Sequence, residues 1–308
     1  MRHRSLGGLL ALLVLLSGCA RGSATPATPA SAPSSEAGFP LTLTDDDGVR
    51  VTIDHRPRRI VTFAPSMTEI VYALGLGDEL VGVSGPSDDY PSQARSVEEI
   101  GGAGVDPNIE RVVALSPDLF LTIAGGDQWK QRLRDLGVPV VTFDATSLDD
   151  AINDIRTVGR VTGESGAADS LAQQMSDEAT SIEQRAAMEP PVTCFFEVYD
   201  PPLLSVGPDT FIFDLLRLAG CDPVTASAKT DYPEWSVDDL VRTSPDVYVA
   251  TQESAKSVAA VQRRPGFDGI SAVADGRVVI VDADLVTRPG PRVVAGLEQL
   301  LKAFHPGA

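Results

Sequence analysis

A chain of 308 residues with 43% apolar and 22% charged residues has an ordinary globular composition, which argues against wholesale disorder and leaves room for two cores. Its formal net charge of −18 repels phosphates, so nucleic acid and anionic headgroups are disfavoured as partners and a basic protein surface is favoured. The only histidines are His3, His55 and His305, too few and too dispersed for a hydrolase triad or a histidine metal cage. The expectation is therefore a protein that is not an enzyme, needs no cofactor and does not ligate a metal directly.

The chain opens with MRHRSLGGLLALLVLLSGCA, in which basic Arg2 and Arg4 precede an apolar run from Leu9 to Leu16 and small residues ahead of Cys19. This is the anatomy of an export signal over residues 1–18, and its apolar run is far short of the roughly 20 residues a spanning helix needs. The segment Leu16 to Cys19 resembles the lipobox of bacterial lipoproteins, where the thiol is joined to diacylglycerol and then becomes the first residue. The resemblance makes Cys19 the lipidation site and places the protein outside the cytoplasm, held to the cell membrane through lipid. Residues 19–45 begin with a stretch rich in Ala, Ser, Thr and Pro, without apolar period, which reads as a flexible tether.

From 46 to 146 short apolar runs alternate with helix-period segments. RIVTF, ending at Phe63, reads as a strand. A helix follows with Ser66 as cap and Glu69 as its capping-box partner. LVGV from Leu80 is a second strand. Asn108 caps a short helix that ends before Pro117, and DLFLTI from Asp118 is a strand apolar on both faces. A helix from Trp129 and a strand from Val138 complete the unit. This βαβα alternation implies a parallel sheet covered by helices.

Residues 147–189 read as helices broken near Thr162 to Ser165, and the second helix would span about 35 Å at 1.5 Å per residue, a strut between lobes. From 190 to 308 the alternation restarts. Strands begin at Val192, Asp246 and Arg277; helices begin at Thr210, Ser236 and Ser257, and a closing helix runs near Arg292 to Phe304. The fold class is α/β, with two lobes built on parallel sheets.

The lobes share a phrase. NIERVVALSPDLFL from Asn108 returns as SVDDLVRTSPDVYV from Ser236, 128 positions on, with Glu110 falling on Asp238 and Ser116-Pro117-Asp118 on Ser244-Pro245-Asp246. A period this long marks a lobe rather than a solenoid unit. GLGDELVG from Gly75 lacks the third glycine of a dinucleotide loop and follows a helix, so it reads as a C-terminal cap. Cys194 and Cys221 are either bridged or free and buried, and spacing does not decide between them; two free thiols are taken as the expectation.

Four stretches carry a family resemblance: RRIVTFAPSMTEIVYALGLGDELVGVSGPSDDYPSQA, IGGAGVDPNIERVVALSPDLFLT, SVGPDTFIFDLLRLAGC and TRPGPRVVAGLEQL. They resemble the periplasmic binding proteins that deliver vitamin B12, haem and ferric siderophores to ABC importers. The resemblance implies two Rossmann-like lobes joined by one long rigid helix, a metal chelate held in a largely preformed interlobe cleft, and a monomer that meets an ABC permease dimer. It also implies that Glu110 and Asp238, one on each lobe, pair with arginines of the two permease subunits. Each acid would in any case offset its own helix macrodipole, worth a few tenths to about 1 kcal/mol.

For the cleft the candidates are Tyr90, Tyr199 and Tyr232, whose flat faces suit a corrin or porphyrin, and Arg288, which suits carboxylates or a catecholate complex. Trp129, inside a helix, and Trp235, a candidate helix staple, are weaker. The small residues GGAGV, Gly101 to Val105, stand at the rim where the enterobacterial B12 binder is rich in tryptophan. A corrinoid leads as ligand, a ferric siderophore follows and haem is third. The competing class is a secreted α/β enzyme.

Overall fold

The computed structural model describes residues 38–101 and 106–308. The export signal, Cys19, most of the tether and residues 102–105 of the small-residue rim lie outside the described residues. The first element is a hairpin of β1 (Leu41–Thr44) and β2 (Arg50–Ile53), paired antiparallel with Leu41 opposite Ile53. It begins inside the stretch 19–45 that the sequence assigned to the tether. Alternation puts Val51 and Ile53 inward, and in the turn Asp45 accepts the Val49 amide at 2.8 Å. Ion pairs Lys130–Asp47 at 2.9 Å and Arg134–Asp45 at 3.1 Å fasten the hairpin to the first lobe.

That lobe holds β3 (Ile60–Phe63), β4 (Leu80–Gly82), β5 (Leu119–Ile123) and β6 (Val140–Phe143), all parallel, in the order β4-β3-β5-β6. β5 and β6 are buried on both faces, as their apolar runs require. Helices α1 (Pro65–Ala73), α2 (Ile109–Ala114) and α3 (Asp127–Asp135) cover them. Ser66 is not the cap of α1. Pro65 occupies the first helical position, Ala64 stands at the N-cap without a side-chain bond, and Ser66 and Glu69 are buried within the helix.

Next come α4 (Leu148–Thr162) and α5 (Ser165–Ala186). Gly163 ends α4 at φ +81°, a left-handed cap that glycine adopts without steric cost. The two helices pack closely, because a Cβ on Gly159 would lie 2.2 Å from the Cβ of Ala168. The strut is thus the 22 residues of α5, about 33 Å long.

The second lobe holds β7 (Val192–Phe196), β8 (Cys221–Pro223), β9 (Val247–Thr251) and β10 (Val278–Val281), parallel, in the order β10-β9-β7-β8. Its helices are α6 (Phe211–Leu218), α7 (Val237–Thr243), α8 (Val258–Gln262), α9 (Ser271–Ala274), α10 (Ala283–Val286) and α11 (Val293–Phe304). Counted within its lobe, each sheet has the strand order 2-1-3-4, so the repeated phrase sits in repeated topology. The cysteines depart from the expectation of free thiols: Cys194 on β7 and Cys221 on β8 form a disulfide, with Cα atoms 6.0 Å apart.

One apolar cluster runs from Ile60 and Met67 through Ile155 and Ala172 to Phe196 and Leu297, so the lobes share a continuous core along α4 and α5. Two smaller clusters fill the opposite faces of the sheets, around Phe120 and Leu133 and around Phe195 and Tyr248. α2 and α7 pack on those outer faces through Val112 and Leu240.

Candidate functional site

In an open parallel sheet of order 2-1-3-4 the connections leave opposite faces on either side of the first and third strands, opening a crevice at their carboxyl ends. In the first lobe this point lies between β3 and β5. A cavity of about 260 Å³ is found there, lined by Phe63, Asp106, Thr122, Gly126 and Trp129 among others. Gly126 is essential to its shape, since a Cβ there would fall 2.0 Å from the Trp129 indole nitrogen. Trp129 stands edge-on to Phe63 at 5.4 Å between centroids. The sequence ranked Trp129 low because it lies within a helix, yet the first turn of α3 starts at the sheet's carboxyl edge and brings the indole to the cavity.

In the second lobe the equivalent point holds a buried network. Glu197 follows β7 directly and is fully buried. Its carboxylate accepts the Tyr248 hydroxyl at 2.5 Å and Arg264 at 2.6 and 3.0 Å. Arg264 also lies 3.3 Å from Asp200. Burial, reinforced by the neighbouring Glu197 charge, pushes the Tyr248 phenol up, so it stays a donor. The network braces the loop that carries Tyr199. That loop pairs with the Tyr232 segment: Ser205 donates to the Pro233 carbonyl at 3.0 Å, and Gly207 to that of Asp231 at 2.7 Å. Tyr199 and Tyr232 thus share one loop pair, and both are more than half exposed. Glu197 was missed by sequence reasoning, although an acid closing the apolar run Cys194-Phe195-Phe196 was a signal. Trp235 precedes the cap of α7 as a staple would and packs against Phe195 at 5.7 Å.

Between the lobes, Tyr90 and Arg288 belong to a third cluster. Glu69 on α1, 3% exposed, accepts two hydrogen bonds from Arg292, at 2.8 and 2.6 Å, and one from Arg288 at 3.4 Å. Arg288 also reaches Asp284 at 2.5 Å and Asp89 at 3.9 Å. The Arg292 guanidinium lies 4.0 Å over the Tyr90 ring, a cation–π contact. Glu69 raises the Arg292 pKa above its ordinary value. A Cβ on Gly290 would stand 3.5 Å from the Ser66 carbonyl oxygen, so the segments that follow the carboxyl ends of β3 and β10 approach each other here. The four cleft candidates therefore divide into two pairs, Tyr199 with Tyr232 and Tyr90 with Arg288, and the second pair is engaged with charged neighbours across the lobes.

Glu110 and Asp238 are both exposed, each the second residue of its helix. The caps are as the sequence predicts: Asn108 accepts the Arg111 amide and Ser236 the Asp239 amide, each at 3.0 Å. Neither acid makes an ion pair to another described residue. The rest of the phrase explains their equivalent placement. Ser116 and Ser244, at φ +48° and +54°, are the only non-glycine residues at positive φ among the described residues. They turn the chain so that Asp118 accepts the amides of Arg58 and Arg59 at 2.8 and 2.9 Å. Asp246 accepts the amide and hydroxyl of Thr193, each at 2.7 Å. In each lobe the aspartate pins the end of the helix to the start of the first strand. Hydrogen bonds from Thr193 hold Asp246 below the usual carboxylate range.

Another cavity, of about 240 Å³, lies among α4, α5 and α6 and includes Asp149, Glu183 and Asp214. None of the candidates named above lines it. No group of three or more His, Cys, Asp or Glu among the described residues is arranged to hold a metal ion, and no described helix is long and apolar enough to cross a membrane.

A family model described as periplasmic binding protein matches residues 60–285. An ABC transporter substrate-binding lipoprotein of Bacillus subtilis is 35% identical over 308 residues, covering 97% of this chain and 95% of the relative. A cobalamin-binding protein of Halobacterium salinarum is 31% identical over 313 residues, covering 96% of this chain and 83% of its own. Among solved structures, the periplasmic vitamin B12 binding protein of Vibrio cholerae matches with a TM-score of 0.73 at 25% identity, covering 80% of this chain and 96% of that one.

Proposed function

Because the chain belongs to the periplasmic binding protein family, we propose that it captures a corrinoid between its lobes and delivers it to an ABC permease dimer. Its general place is that of the substrate-binding component of an ABC importer, a role of capture and delivery rather than turnover. The reading is supported by the approach of the segments that follow β3 and β10, together with the Trp129 cavity in one lobe and the exposed Tyr199–Tyr232 loop pair in the other. Ligand pockets typically measure about 300–1,000 Å³. A cavity of about 260 Å³ is therefore a subsite for one edge of a large ring, and the exposed tyrosines offer flat faces to the remainder. The cobalamin-binding relative supports a corrinoid in particular.

Cys19 is the proposed lipid anchor, which would hold the folded part near an extracytoplasmic membrane surface. Glu110 and Asp238 are the proposed permease contacts, exposed on repeated helices and without an ion pair among the described residues. In cells lacking the protein, uptake of labelled cyanocobalamin should be restored by the wild-type chain and abolished by Glu110→Lys with Asp238→Lys. The double variant should bind ligand as before, and undiminished uptake with it would remove the two acids from the docking site.

A further inference from the structure

The repeat carries more than its acids. Val113 and Val241 also stand 128 positions apart, and at 42% and 40% exposed they are among the large apolar side chains the described residues leave open to solvent. Each lies three residues beyond its acid, one helical turn away on the same face. The residue just before each valine, Val112 or Leu240, is fully buried and holds the helix to its lobe. Two short helices in separate lobes thus present the same pair, an exposed carboxylate with an exposed valine one turn on, and in both an aspartate hydrogen-bonded to the neighbouring strand end fixes the position.

We propose that each valine completes a mixed docking patch, and that the occupant is a pair of equivalent partner surfaces, each presenting a cationic side chain beside an apolar one. This inference rests on the docking reading above and specifies the chemistry of the partner. A second copy of this chain is a poor occupant, because it would set carboxylate against carboxylate on a molecule of net charge −18. A purely ionic contact between exposed groups is weak and screened by salt. Burying a valine beside each pair excludes water from it and supplies a part of the affinity that salt does not remove. Two such patches on one molecule act together, so each need only be weak.

The test measures binding of the full chain to the importer's permease dimer in lipid nanodiscs, at about 50 and 500 mM NaCl, where screening lengths differ several-fold. Val113→Ser with Val241→Ser should weaken binding about 10- to 30-fold at both salt concentrations. Val113→Ile with Val241→Ile should bind at least as tightly as wild type. Glu110→Lys with Asp238→Lys should abolish binding at low salt. Thermal unfolding of the serine variant should match wild type, since both positions are surface sites. Wild-type affinity in the serine variant, alongside lost binding in the lysine variant, would overturn the apolar component while leaving the docking acids in place. Wild-type affinity in both variants would overturn the patch and the docking reading together.

Discussion

Glu69 shows how one residue takes a role its local pattern does not announce. The sequence places it in a capping box with Ser66, and the motif S-x-x-E is present. Pro65 occupies the first helical position instead, which moves Ser66 into the helix and turns Glu69 toward Arg288 and Arg292. Both arginines lie more than 200 positions away, and nothing in the local sequence of α1 names them. Breaking a buried pair leaves charges uncompensated, so Glu69→Ala should cost about 3 kcal/mol of stability, read as a lower urea midpoint. An unchanged midpoint would contradict the interlobe clasp.

Asp154 gives stability a pH dependence. It lies on the buried face of α4, 8% exposed, and its Oδ2 has no hydrogen-bond partner. Burial, helped by the carboxylates of Asp46, Asp150 and Asp144, pushes its pKa up to about 8 from 3.8. The folded protein therefore holds a proton that the unfolded chain has released between about pH 4 and pH 8, and stability falls as pH rises through that window. Asp154→Asn removes the penalty. Its gain over wild type should be near zero at pH 4 and on the order of 5 kcal/mol at pH 8. Equal gains at pH 5 and pH 8 in thermal unfolding would contradict this assignment.

At the scale of elements, the legible parts were those whose burial leaves a long signature. β5, β6 and β9 are buried on both faces and read as continuous apolar runs, and α4 and α5 are long enough to show helical period. β8 was not legible, because Cys-Asp-Pro is three residues with a proline and carries no strand pattern. Missing it hid the disulfide, since only β8 brings Cys221 beside Cys194. The bridge closes a separation of 27 residues, and replacing both cysteines by serine should cost about 3 kcal/mol in chemical unfolding. An unchanged unfolding midpoint would show that the pairing of β7 with β8 needs no staple. Gly159 is the other element-scale test. Its missing side chain lets α4 and α5 approach, so Gly159→Leu should lower the melting temperature by many degrees, and a tolerated leucine would contradict the close crossing.

At the scale of the whole molecule, the repeated phrase was legible because each copy performs the same local work, a cap, an acid, a positive-φ serine and an aspartate on the neighbouring strand. The sequence could not show how the four cleft candidates divide, because which loops meet across the lobes is set by packing. Tyr90 and Arg288 lie in the interlobe cluster of Glu69 and Arg292, while Trp129, ranked low, lines the cavity. The core is continuous through α4 and α5, so ligand binding should change the lobes' relation little. X-ray scattering profiles with and without cyanocobalamin should superpose, and a marked contraction on binding would contradict a preformed cleft.

Capture of a corrinoid is tested most directly by titrating the full chain with cyanocobalamin while following intrinsic tryptophan fluorescence, with haemin and a ferric siderophore in parallel. Trp129 lines the cavity and reports its occupation. Saturable quenching by cyanocobalamin at submicromolar concentration is expected, with one ligand per chain and the response largely lost in Trp129→Phe. Saturation by haemin or the siderophore, with no response to cyanocobalamin, would contradict the corrinoid assignment.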